Sequence, residues 1–158
     1  MRTFGAGTTT DEVIAVTLAE HPRVAASLEA AHAAAWDVVD PILLELCRLR
    51  LAQLFGDAAE LERRTPAAVA AGLDESMVSD LRAWPRSAAF GPRERACLGF
   101  CEQFFIDVAN VSTKQTEAIS AELGVQGLAD FVSALLVIEQ RQRLRLAWEQ
   151  LFGTEESE

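Results

Sequence analysis

The amino-acid sequence predicts an all-α protein, a compact multi-helix bundle built from a single domain of 158 residues. Two helix-capping boxes occur along the chain, and prolines or glycines stand at the ends of successive segments. The β-branched clusters, such as Val13-Ile14 and Val137-Ile138, are too short to indicate a sheet. Half of the residues are apolar, which favours an ordered core over disorder.

The N-terminal part of the chain predicts two helices. Thr9 and Glu12 have the spacing of a capping box, which starts a short helix that ends near His21. An alanine-rich stretch over about residues 22–36 then predicts the second helix. We treat residues 1–39 together as an N-terminal helical extension.

A third predicted helix starts at Asp40-Pro41 and runs to Phe55. Asp40 is a good N-cap residue, and a proline is well tolerated in the first helical position. Gly56 follows Phe55 and can adopt the left-handed conformation that ends many helices.

The rest of the chain predicts five more helices. Gly72 and Gly124 supply helix stops, Asp74 supplies an N-cap, Pro85 ends a helix, and Ser112 with Gln115 forms the second capping box. The helices are predicted over about residues 57–72, 74–84, 92–109, 112–124 and 127–152. A short acidic tail, residues 153–158, follows.

Composition excludes several classes of function. The net charge of -10 argues against binding to nucleic acid, which requires a basic surface. The longest apolar run, residues 134–138, is too short to cross a bilayer, and the N-terminus has no apolar signal region. Three cysteines, an odd number, suit reduced thiols. We therefore expect a cytoplasmic protein without a membrane or nucleic-acid partner, and the sequence indicates no cofactor.

One spaced motif carries most of the functional information. Residues 45–64 have the pattern Glu45-x11-Asp57-x2-Glu60-x3-Arg64. This spacing resembles the alkylhydroperoxidase D / carboxymuconolactone decarboxylase family, whose redox members carry Glu-x11-Cys-x2-Cys-x3-His. Here the glutamate is kept, both cysteine positions are acidic and the histidine position is arginine.

The resemblance extends beyond the motif to a family core over residues 40–152. Further segments similar to family helices follow one another in the expected order, at residues 43–56, 66–73, 92–104 and 131–144, with a weaker match at 21–28. The resemblance implies the helical bundle of that family. It also implies assembly into a homo-oligomer, a trimer or a hexamer.

The altered motif limits the chemistry that the resemblance implies. Carboxylates cannot replace the attacking and resolving thiolates, so alkylhydroperoxidase activity is not expected at this site. The leading prediction is a degenerate, non-redox family member that binds a small molecule or a partner protein in the remnant pocket. One alternative is an acid/base enzyme, of lyase or decarboxylase type, that acts on a small carboxylated or lactone substrate through Glu45 with Asp57 or Glu60. A third possibility is a thiol peroxidase-type activity through Cys97 and Cys101.

Each motif residue has a structural and a functional interpretation. Glu45 either acts as an acid/base group or forms a helix-fixing pair with Arg48, three residues further on. Asp57 and Glu60 either lie on a solvated helix, with Glu60 paired to Arg64, or converge with Glu45 into a carboxylate cluster that faces Arg64.

The functional interpretations differ in the ligand that they imply. A carboxylate cluster could hold a hard cation, whereas the lack of a nearby histidine disfavours a transition metal. Arg64 and Arg48 are the candidate ligand-binding residues, since a guanidinium binds anionic groups in a bidentate manner.

The remaining candidates are assigned to structure. Cys97 and Cys101 lie four residues apart among apolar neighbours, which favours core packing over a disulfide. His21 and His32 are interpreted as surface or interface residues, although His32 could reach the site if the extension packs there. The last helix carries three arginines, which suit a solvated face or a subunit contact: Arg141, Arg143 and Arg145.

Overall fold

The computed structural model describes residues 8–152, and all regular secondary structure in that range is helical, which confirms the predicted fold class. Residues 1–7 and the predicted acidic tail, 153–158, lie outside the described residues. Two 3-10 turns, Leu81–Ala83 and Val108–Asn110, accompany the α-helices. In chain order these are α1 (Thr10–Thr17), α2 (Pro22–Val38), α3 (Pro41–Phe55), α4 (Ala58–Glu62), α5 (Pro66–Ala70), α6 (Glu75–Asp80), α7 (Pro92–Asp107) and α8 (Thr113–Phe152).

Helix α3 forms the centre of the bundle. Its middle is buried without interruption from Leu43 to Leu49, so it has no solvent-facing side in that stretch. Helices α7 and α8 pack on it and complete the apolar core. A helix buried on all sides must satisfy every polar side chain internally, which decides the geometry of the site described below.

The local end signals of α1 and α3 act as the sequence predicts. At α1, the N–H of Glu12 donates to Thr9 Oγ1 at 3.2 Å and the N–H of Thr9 donates to Glu12 Oε2 at 2.7 Å. At α3, Asp40 accepts from the N–H of Leu43, and Gly56 ends the helix at φ +73°. The positions of Glu45 and Arg48 on α3 are thus set by local sequence.

The helix predicted over residues 57–72 is wrong as a single element. It is divided into α4 and α5 by an extended segment that contains Arg63 (ψ 152°) and Thr65 (ψ 143°). Pro66 explains the break, because the proline ring disfavours helical geometry at the preceding residue. The break turns the backbone of residues 63–65 towards α3, where it contacts Arg48 and Glu45.

The helix predicted over residues 74–84 is shorter than expected. α6 begins after Asp74, whose carboxylate accepts from the N–H of Ser76, and it ends at Asp80. The chain then tightens into the 3-10 turn before Pro85, and Leu81 in this turn is fully buried.

The predicted break at Gly124 is present. Gly124 has φ +78° and ψ 170°, so α8 is two helical pieces that meet at a kink. By length and composition alone, α8 is long and apolar enough to cross a membrane, with a mean hydropathy of 1.6 in its most apolar window. The core helix of a soluble protein meets the same test, so the expectation of no membrane partner stays a prediction. Its apolar face supplies Phe131, Leu135 and Ile138 to the core of the bundle.

Helices α1 and α2 lie against α8 and cover one side of the bundle. Arg141 of α8 is the polar link between them, because it forms ion pairs with Asp11 of α1 and Glu29 of α2. Arg141 is only 8% exposed, so the prediction that it lies on a solvated face or in a subunit contact is wrong. The N-terminal extension therefore packs beside the motif.

Candidate functional site

Arg48 is the centre of the motif region. Its Nε and Nη2 donate to the two oxygens of Glu45 at 2.9 and 2.8 Å, as predicted for the pair on α3. Its Nη1 donates to the carboxylate of Glu60 at 2.5 Å and to the Glu60 carbonyl at 3.1 Å, and Nη2 also donates to the carbonyl of Arg63 at 2.8 Å. All five N–H groups of this guanidinium are thus used within the protein.

Glu45 is completely buried and its carboxylate is fully used. Besides Arg48, it accepts from the N–H of Thr65 at 3.1 Å and from Thr65 Oγ1 at 3.0 Å. These contacts hold the extended segment at residues 63–65 against α3. The geometry supports the structural interpretation of Glu45, since no oxygen of the carboxylate is left for a substrate.

Glu60 is also held by internal partners. Its Oε1 accepts from Thr10 Oγ1 at 2.6 Å and from Arg63 at 3.2 Å, in addition to the contact of Oε2 with Arg48. Burial disfavours its charged form, but the hydrogen bond from Thr10 and the positive charges of Arg48 and Arg63 outweigh it, so the pKa of Glu60 is lowered. Glu60 therefore stays ionised.

The predicted Glu60–Arg64 ion pair is wrong. Arg64 lies beyond the end of α4, and its Nε and Nη2 donate to Glu75 at 2.8 and 2.9 Å. The i, i+4 geometry that the prediction assumed does not exist, because the helix ends at Glu62. Arg63, three residues after Glu60, takes the place of Arg64.

Asp57 forms a buried ion pair that spans the chain. It caps α4 by accepting from the N–H of Glu60 at 3.1 Å, and it binds Arg145 of α8. Both side chains of this pair are at most 3% exposed. The predicted solvated positions of Asp57 and Glu60 are thus wrong, as is the predicted solvated or subunit-contact position of Arg145.

The three motif carboxylates do not converge on one point. Glu45 and Glu60 lie on either side of Arg48, whereas Asp57 points to Arg145. Within residues 8–152, no group of three or more histidine, cysteine or acidic side chains is placed to hold a metal ion. The alternative of a carboxylate cluster that faces Arg64 is therefore wrong.

A cavity of about 310 Å³ lies beside this network. Of the five residues predicted for the site, Arg48, Glu60 and Arg64 line it, whereas Glu45 and Asp57 do not. The other walls come from the N-terminal helices, the 63–67 segment and α8: Thr10, Asp11, His32, Trp36, Arg63, Thr65, Pro66, Ala67, Ile138, Arg141 and Gln142. Most of these residues belong to no recognisable motif, so the sequence alone does not identify them. A contribution from the N-terminal extension is expected from the sequence only for His32.

His32 and Trp36 form a fixed pair on the cavity wall. Trp36 Nε1 donates to His32 Nε2 at 3.0 Å, and the two rings meet edge to face at 6.1 Å. Burial and the nearby Arg141 charge lower the pKa of His32, so the ring is neutral near pH 7. His32, predicted to be a surface or interface residue, is instead part of the cavity.

All three cysteines lie in the core, as predicted for Cys97 and Cys101. Cys47, Cys97 and Cys101 are free thiols that are 0% exposed, and Cys101 Sγ lies 3.7 Å from the carbonyl of Cys47. Burial raises the pKa of Cys97 to about 12, and contact with Cys101 together with burial raises that of Cys47. The thiols of Cys47 and Cys97 therefore stay protonated, and burial hides all three cysteines from substrate.

Comparison with known proteins identifies the family of the chain. The sequence model described as the carboxymuconolactone decarboxylase family matches residues 22–103, just over half of the chain. The chain belongs to the carboxymuconolactone decarboxylase family. No curated protein matches it.

The family match covers the motif but only part of the cavity. It extends from the start of α2 into α7 and includes Glu45, Asp57, Glu60 and Arg64. Arg141 and Arg145 of α8 lie beyond it, as does Thr10 of α1. The partners that hold the altered motif of this carboxymuconolactone decarboxylase family member therefore come partly from outside the matched region.

The first prediction concerns the buried pair on α3. Glu45→Gln keeps the side-chain shape but removes the charge opposite Arg48, so we expect the unfolding free energy to fall by about 3 kcal/mol. Glu62→Gln, at an exposed position of α4, is the control and should change the unfolding free energy by less than about 0.5 kcal/mol. Chemical denaturation of both variants measures the difference. Equal stability of the two would refute the structural role of Glu45.

Proposed function

We propose that this protein is a non-redox member of its family that binds a small molecule in the cavity beside the motif. The observation that carries the proposal is that the paired motif side chains and the adjacent cavity are separate parts of the site. The motif carboxylates are held by buried arginines, whereas the adjacent cavity keeps an apolar wall of Trp36 and Ile138 together with polar groups. Its volume falls at the lower end of the range typical of ligand pockets, roughly 300–1,000 Å³.

The acid/base alternative has less support from the geometry. Glu45 and Asp57 do not reach the cavity, and Glu60 already accepts hydrogen bonds at both oxygens. A general base needs a free lone pair and a pKa near the working pH, but the pKa of Glu60 is lowered. A small molecule is also favoured over a partner protein, because the cavity is too small for more than one or two protein side chains.

The second prediction concerns the redox chemistry of the family. With cumene hydroperoxide and a dithiol electron donor, we expect only background turnover, because carboxylates occupy both thiol positions of the motif. Cys97→Ser and Cys101→Ser should leave this background unchanged. If the wild type turns over the peroxide and either serine variant abolishes that turnover, a thiol peroxidase-type activity through Cys97 and Cys101 is supported instead.

The third prediction tests the cavity itself. Ala67 lines the cavity, whereas Ala71 is exposed at the end of α5 and does not. In a thermal-shift screen of small molecules, we expect compounds that stabilise the wild type to lose their effect in Ala67→Phe and to keep it in Ala71→Phe. A screen in which no stabilising compound depends on Ala67 would contradict the proposal.

We also propose that the chain forms a homo-oligomer through an apolar surface near the end of α7. Ile106 and Val108 are 70% and 58% exposed, and they adjoin the exposed Leu136 on α8. Exposed clusters of large apolar side chains favour burial in subunit contacts. Symmetric self-association would place this surface against its own copy.

The fourth prediction addresses this assembly. Light scattering of the wild type at micromolar concentration should give the mass of an oligomer, and Ile106→Glu should lower it. Val125→Glu, at an equally open position on α8, should leave it unchanged. A wild-type mass equal to that of the monomer would rule the proposal out.

A further inference from the structure

Most of the hydrogen-bond donors that remain free in the cavity come from residues outside the motif. Arg48 uses all five of its N–H groups within the protein, and Arg64 uses four of its five on Glu75 and on two backbone carbonyls. Arg141 uses one N–H on each of two carboxylates, those of Asp11 and Glu29. Further donors of Arg141 are thus available to a ligand.

The ion pairs of Arg141 have exposed acidic partners, as does the Arg64–Glu75 pair at the same cavity. The guanidinium is buried, but the side chains of Asp11 and Glu29 are 60% and 51% exposed. Water can solvate these two carboxylates, whereas the buried guanidinium always needs an anionic partner. An anionic group that enters the cavity can share Arg141 with these carboxylates without leaving a buried charge unpaired.

His32 offers a second donor with a defined position. Its Nε2 accepts the N–H of Trp36, so the hydrogen of the neutral ring is carried by Nδ1. Among residues 8–152, Nδ1 has no hydrogen-bond partner of its own. The Trp36 contact therefore fixes both the tautomer and the orientation of an imidazole ring that lines the cavity.

We propose that His32 and Arg141 together recognise a small organic monoanion with an apolar body. The oxyanion accepts from His32 Nδ1–H and from the guanidinium of Arg141, and the apolar body lies against Trp36 and Ile138. This inference rests on the proposed small-molecule function and adds the class of ligand and the residues that select it. Charge-assisted hydrogen bonds to a guanidinium are stronger than neutral ones, which favours the anion over a neutral ligand of the same shape.

Benzoate and benzamide make a matched pair of probes, because they share shape and differ in charge. By isothermal titration calorimetry, we expect benzoate to bind the wild type at least about tenfold more tightly than benzamide. Binding of benzamide with equal affinity, or no binding of benzoate at millimolar concentration, overturns the inference.

Two substitutions of His32 distinguish the roles of its two ring nitrogens. Asparagine places an amide near the position of Nδ1, whereas glutamine places one near Nε2, where it can still accept from Trp36. We therefore expect His32→Gln to weaken benzoate binding about tenfold and His32→Asn to retain most of it. If His32→Gln binds benzoate as the wild type does, the role of His32 is refuted.

Arg141 supplies an independent test if a His32 variant does not fold. Arg141→Lys keeps a positive charge for Asp11 and Glu29 but loses the planar fork, so benzoate affinity should fall about tenfold. Unchanged affinity would overturn the role of Arg141. Loss of benzoate binding in Ala67→Phe locates the probe in the cavity, and benzoate binding that Ala67→Phe leaves intact overturns the inference.

The same variant distinguishes failure of this inference from failure of the proposed function. If neutral compounds bind in a manner that depends on Ala67 while benzoate does not bind, the cavity function stands and the ligand class is wrong. If no compound binds in the cavity, both fail.

Discussion

The buried guanidinium of Arg48 is the constraint on which the rest of this region depends. It lies on a helix with no solvent-facing side, so each of its five N–H groups must find a partner inside the protein. Its pKa is raised, because burial opposes the charge but Glu45 and Glu60 outweigh that effect. Those two carboxylates connect α3 to α4 and to the extended segment at residues 63–65. The cavity is formed beside that fixed segment.

Acidic residues occupy the two thiol positions of the motif, and their side chains join helices through ion pairs and hydrogen bonds. Asp57 joins α4 to α8 through Arg145, and Glu60 joins α4 to α1 through Thr10. A buried carboxylate requires a buried cation, and a buried cation without its carboxylate would be strongly destabilising. The paired residues therefore depend on one another, while the cavity beside them remains open to a ligand.

The predictable parts of this structure are those that short-range signals determine. The caps at Thr9 and Asp40 and the Glu45–Arg48 pair involve residues three positions apart, so the sequence alone identifies them. The break before Pro66 also follows from a short-range signal, since proline restricts the residue before it, but the predicted helix over residues 57–72 overlooked it. By contrast, Arg145 binds Asp57 across 88 positions, and no periodic pattern indicates which partner a distant arginine will choose. For the same reason the sequence did not predict that His32 lines the cavity beside the motif, because its position depends on how α2 packs on α8.

The most direct test of the account is a double-mutant cycle on Asp57 and Arg145, measured by the free energy of unfolding. We expect Asp57→Asn and Arg145→Met each to destabilise the protein by about 3 kcal/mol. The double variant should lose less than the sum by at least about 1.5 kcal/mol, since the second substitution removes the charge that the first leaves unpaired. Additive losses, equal within about 0.3 kcal/mol, would contradict the claim that the altered motif acts as a buried ion-pair network.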